Sequence, residues 1–130
     1  MEIDSLAYLA KAAESLAGAE SEFTNRRYDN CASRCYYAMF QAAIAALIAA
    51  GIRPDAGREH WEHSFVQARF AGVLISRRKL YSPALGSSLP EILDIRRGAD
   101  YGLYTTSRKL ALHALEKARL LVSAIETRLR

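Results

Sequence analysis

Residues 28–51 read YDNCASRCYYAMFQAAIAALIAAG, and this stretch decides the fold. From Cys35 to Gly51 a single polar amide, Gln41, interrupts an otherwise apolar run. A helix that is apolar all round belongs at the centre of a bundle. The run is 17 residues long and rich in Ala, shorter and less apolar than the roughly 20 strongly hydrophobic residues of a membrane span. Asp29 and Asn30 stand near its start. Gly51 follows its end, where a left-handed residue commonly stops a helix. The small alanine side chains allow neighbouring helices to approach closely, and they also suit a second subunit.

Outward from this centre, the spacing of apolar residues predicts further helices. Leu6, Leu9, Ala13, Leu16 and Phe23 mark a first helix over 4–24, with Asp4 as its cap, ended by Asn25-Arg26-Arg27. Residues 52–57 form a loop. A third helix covers about 59–75, with Trp61, Phe65, Ala68 and Gly72 on one side and Val66, Phe70 and Val73 on an adjoining one. Residues 76–87, with Pro83 and Gly86, are irregular. Ser88-Leu-Pro-Glu91 reads as a capping box opening a short fourth helix that ends near Tyr101. Thr105 or Thr106 caps a last helix reaching about Leu129, with Leu110, Ala114, Ala118, Leu121, Ile125 and Leu129 as its stripe. No strand-like alternation and no repeat is present. The expectation is an all-α, up-and-down bundle of four to five helices forming one domain over 1–130.

At 130 residues, 51% hydrophobic and 25% charged, the composition is that of a globular chain and excludes a disordered one. Two Cys cannot build a disulfide framework. Met1-Glu-Ile-Asp is acidic, unlike the basic start of a signal peptide. These features point to the cytoplasm, without a membrane segment. Charge is unevenly placed: residues 1–65 are net −3 and residues 66–130 net +7, within a total of +4. Arg69, Arg77, Arg78, Lys79, Arg96, Arg97, Arg108 and Lys109 crowd one interval. Such a surface suits RNA, DNA or a nucleotide; a merely solvated basic face has the same composition.

Cys31, Cys35, His60 and His63 supply zinc-type ligands, but the usual finger spacings are absent and both Cys lie on the helix expected to be buried. Structural thiols are the simpler reading. Arg108-x4-His113 matches, as a string, the Arg-x4-6-His of some ribonucleases. Five residues at about 100° each place its two side chains roughly 140° apart, which argues against a shared face. Tyr36-Tyr37-Ala-Met-Phe40 is an aromatic cluster in which a buried hydroxyl needs a polar partner, Arg34 being near in sequence. No catalytic Ser-His-Asp set, phosphate-binding Gly-rich loop, His-Glu-x-x-His or calcium loop is present.

Tyr28-x3-Ala-Ser-Arg34-x-Tyr-Tyr-Ala-Met-Phe40-x-Ala-Ala43, His63 with Phe70, and Arg96-x2-Ala-Asp-Tyr101 occur in this order. With them the chain resembles the HEPN family, in particular its small stand-alone prokaryotic branch, from about residue 6 to 128. The resemblance implies a helical bundle that dimerises and a site shared across the dimer, in the stretch before the last helix. In active HEPN ribonucleases that stretch carries Arg-x4-6-His and cleaves RNA without a metal. Many small members work beside a minimal nucleotidyltransferase as toxin and antitoxin.

Five residues after Arg96 this chain has Tyr101 where related toxins have His. A phenol with a pKa near 10 is a poor proton shuttle at neutral pH, although it can stack on a base or bond to a phosphate. The implied catalytic set is Arg96, Asp100 and Tyr101, with Arg34, Tyr37 and Arg97 contacting RNA or nucleotide and Tyr104 open to modification by a nucleotidyltransferase partner. No cofactor and no metal is implied. The other reading is a dimeric interaction module in which Arg96, Asp100 and Tyr101 form a structural network.

Overall fold

The connection Asn25–Arg27 is too short for anything but a reversal, so the first two helices must lie side by side and antiparallel. The computed structural model, which describes residues 2–55 and 60–130, has this arrangement. α1 spans Ile3–Thr24 and α2 Tyr28–Ala49. Ser5 donates to the carbonyl of Ala45 (2.9 Å) and Ser15 meets Gln41 (2.7 Å), pairs whose order runs in opposite senses along the two helices. Gln41 is thus the polar cross-link inside the apolar run. Arg26 takes a left-handed conformation (φ 61°) in the reversal.

α3 spans His63–Arg69 and continues as a wider π-wound segment, Phe70–Arg77. A 3₁₀ turn at Pro83–Leu85 leads to α4, Ser88–Tyr101, and α5 is Arg108–Leu129. No strand occurs among the described residues. The all-α bundle expected from the periodicity is therefore present.

α2 is the axis. Fourteen of its 22 residues are buried, and α1, α3, α4 and α5 all pack against it. By length and composition alone α2 would cross a membrane, yet most of its apolar window faces its neighbours in the bundle. Gly51 (φ 80°) stops it, and Arg78 donates to the carbonyl of Ala50 at 3.0 Å, satisfying one of the free carbonyls at the helix end.

Several expected boundaries move. α3 begins at His63, because Glu62 is extended and Trp61, outside the helix, packs edge-on to Tyr8 and Phe65. Its expected start at 59 and the loop residues 56 and 57 lie outside the described residues. The capping box at Ser88 and Glu91 does not form. Ser88 is buried in the first turn, the cap position falls to Ser87, and the Glu91 carboxylate pairs with His113 on α5 at 2.5 Å. α5 is capped by Ser107, whose Oγ accepts from the Leu110 amide at 3.1 Å. Thr106 is drawn away: its amide donates to Asp29 at 2.7 Å, pinning the 102–107 loop to the start of α2. Asp4 does not cap α1 but pairs with Arg53 (3.1 Å), as does Glu2. On α1 the inward row is Ser5, Leu9, Ala12 and Ala19, while Leu6 and Ala13 face out.

Enlarging a side chain where α2 is enclosed on all sides should be costly. Ala43→Leu, at a fully buried position, is expected to lower the unfolding free energy in urea by about 1–3 kcal/mol. Leu110→Ala, at a position 47% exposed, should change it by less than about 0.5 kcal/mol.

Candidate functional site

Ser33, Tyr36, Tyr37 and Phe40 recur at helical spacing on one face of α2. That face meets α4 and α3, and a polar cluster is built on it. Tyr36 is fully buried, so its hydroxyl must find a partner. It lies 2.7 Å from Nδ1 of His63 and accepts from Gln67 Nε2 at 3.4 Å. Arg34 is not that partner. It lies across Gly18 of α1, so near that a β-carbon there would sit 3.1 Å from its Nη1.

From α4, the Arg96 guanidinium stacks over Tyr37 (4.9 Å to the ring centre) and borders Tyr36 (5.9 Å). Asp100, one turn on, places Oδ2 3.1 Å from Arg96 Nε, while its Oδ1 accepts from Ser33 at 2.5 Å. The Arg96 side chain is 16% exposed and that of Asp100 29%. Arg96 Nε–H is buried and not aimed along the line to the carboxylate. It makes no hydrogen bond among the described residues. Charge and stacking hold this arginine, and one of its donors is unsatisfied.

His63 packs against Phe40 (4.7 Å between ring centres) and Tyr36 (5.3 Å). Burial lowers its pKa below the usual imidazole value, and the charges of Arg96, Arg97 and His60 lower it further. Burial likewise pushes the Tyr36 phenol up. Both groups are thereby favoured in their neutral forms at pH 7.

The remaining candidates fall as follows. Arg97 is exposed beside the cluster, close enough for its charge to act on His63. Tyr101 is 80% exposed, and among the described residues its side chain makes no hydrogen bond or cation–π contact with Arg96 or Asp100. Tyr104 and Leu103 are exposed as well. The chain leaves α4 at Gly102 so tightly that a β-carbon there would come 2.4 Å from the Gly98 carbonyl oxygen. Arg108 stacks on Phe23 while His113 pairs with Glu91, so the Arg-x4-His string assembles no site. Cys31 and Cys35 are buried with sulfurs 4.0 Å apart, and His63 is held by Tyr36, so the two Cys and the His do not converge. The thiol of Cys35 is pushed up by its bond to Cys31 and by burial. The sequence pattern assigns no role to Ser33 or Gln67 and presents His63 only as a zinc-type ligand and as part of the family resemblance. The i, i+3, i+4, i+7 row on α2 was the available signal.

A five-helix bundle with a charged pair seated on two tyrosines of its central helix defines a class of protein that family comparison identifies. The HEPN domain model matches residues 5–128, and the chain belongs to the HEPN domain family. It is also similar to a UPF0332 protein of Archaeoglobus fulgidus, 32% identical over 116 residues that cover 88% of this chain and 86% of that protein.

Because the folded state lowers the pKa of His63, the unfolded chain takes up its proton first, near pH 6.5. This contribution to stability is complete above that pH and is lost as pH falls through the lower folded value. The melting temperature should therefore drop between pH 7.5 and 5. His63→Asn should flatten that slope. An unchanged slope would mean that His63 titrates alike in both states.

Proposed function

We propose that this HEPN protein binds RNA or a nucleotide at the cluster of Arg96, Arg97 and Tyr37, and that it cleaves RNA without a metal. The observation that carries the reading is Arg96 itself. It is largely buried and held in place by stacking on Tyr37 and by Asp100. A guanidinium fixed in this way is suited to the charge that develops on a phosphate during transfer. Asp100 orients it, itself fixed by Ser33. Arg97 adds exposed charge, and the outward ring of Tyr101 offers a stacking surface for a base rather than a proton shuttle.

The biological setting we infer is cytoplasmic: the HEPN half of a toxin–antitoxin or defence pair with a minimal nucleotidyltransferase. Tyr104, 88% exposed, presents its hydroxyl to a modifying enzyme. Homodimerisation is supported by Leu103, Tyr104 and Leu110, apolar groups exposed near one end of α5. A second reading, a non-catalytic interaction module, is favoured by one observation: the Arg96–Asp100–Ser33 linkage also ties α4 to α2 and has structural value on its own.

The two readings differ in salt dependence. Fluorescence anisotropy with a labelled single-stranded oligoribonucleotide should show affinity falling as salt rises, because phosphate contacts release counterions. Arg97→Ala should weaken binding whatever the sequence and reduce the slope of log K against log salt by about 1. A folded protein with no salt-dependent affinity for RNA would favour the interaction module.

A further inference from the structure

Arg96 has no proton acceptor of suitable basicity in the set implied by resemblance. Asp100 is engaged by Arg96 and Ser33, and Tyr101 points to solvent. One imidazole, however, shares a ring with Arg96. His63 packs on Tyr36 from α3, and Arg96 borders the same ring from α4. We propose that His63, reached from a separate helix, is the proton-transfer residue of this site. The proposal rests on the ribonuclease reading above and assigns the group that the reading lacks.

Three features equip it. First, its orientation is fixed: Nδ1 is 2.7 Å from the Tyr36 hydroxyl, and the ring is packed against Phe40. In the tautomer that protonates Nδ1, this nitrogen donates to the phenol oxygen, which also accepts from Gln67. In that tautomer Nε2 carries the free lone pair, and Nε2 has no partner among the described residues. An imidazole oriented through one nitrogen and reactive at the other is the usual arrangement of a catalytic base. Second, the titratable and charged groups around it are Tyr36 on α2, Arg96 and Arg97 on α4, and His60 in the preceding loop. Among the described residues no carboxylate joins them, and burial together with these cations favours the neutral ring at pH 7. Third, His63 is partly exposed and close enough to Arg97 to feel its charge, so a phosphodiester held by the arginines can bring a ribose to it.

The step balances within RNA. The ribose 2′-hydroxyl gives its proton to His63 Nε2, and its oxygen bonds to the adjacent phosphorus. The bond from phosphorus to the 5′-oxygen of the next nucleotide breaks, and that oxygen takes a proton from water. The products are a 2′,3′-cyclic phosphate and a 5′-hydroxyl, and His63 returns its proton to solvent. Tyr36 is a positioning residue, acting through His63.

The test is cleavage of an end-labelled transfer RNA in EDTA by the full chain across pH 5 to 8, with circular dichroism to verify folding. For the wild type the expectation is a rate that rises with pH on a limb below 6.5. His63→Asn should lose roughly 10²–10⁴-fold in rate and lose that limb. Tyr36→Phe, which keeps the ring, should retain activity with the limb displaced. His113→Asn, at the helix pair with Glu91, should behave as wild type. Cleavage by His63→Asn at the wild-type rate would overturn the proposal and leave the ribonuclease reading in place. No cleavage by the wild type would overturn both.

Discussion

A buried phenol that must be satisfied is the constraint around which this molecule is arranged. α2 is enclosed by α1, α3, α4 and α5, and Tyr36 lies in its fully buried part. An unpaired hydroxyl there would cost about 1–3 kcal/mol. The fold meets this by bringing His63 and Gln67 from α3 to the phenol oxygen. The same ring then serves as a wall for Arg96. The residues that satisfy the central helix also belong to the candidate site.

The charged pair follows from this seat. Arg96 and Asp100 are one helical turn apart and so can meet on their own helix. An exposed pair of this kind is worth little. Here Tyr37 beneath the guanidinium and Ser33 behind the carboxylate restrict both side chains. The result is an arginine whose position is set before any ligand arrives, which is the condition for electrostatic stabilisation of a developing charge. Beside it burial, and then the charges of Arg96 and Arg97, favour the neutral form of His63.

The helical periods, the central place of α2, the stop at Gly51 and the Arg96–Asp100 step were legible in the sequence, because each depends on residues within a turn or two. The Tyr36–His63 bond was not: its partners are 27 residues apart and join separate helices. Ser33 and Asp100, 67 residues apart, were hidden for the same reason. Local rules also misled where tertiary contacts overrode them. Glu91 fits a capping box but is held by His113, and Thr106 fits a cap but is held by Asp29. Arg34, adjacent to Ser33 in sequence, is turned about 100° around the helix and rests on α1. Tyr101 lies five residues after Arg96, and that step and the exit at Gly102 send it to solvent.

The central claim is that a preset arginine on α4, and not the tyrosine that ends that helix, governs chemistry on RNA. It is tested most directly by comparing wild type, Arg96→Ala and Tyr101→Phe in the cleavage of labelled messenger RNA in EDTA. The account predicts cleavage by wild type and by Tyr101→Phe, and a loss of about 10²–10³-fold in Arg96→Ala. Cleavage that survives Arg96→Ala, or that disappears in Tyr101→Phe, would contradict it.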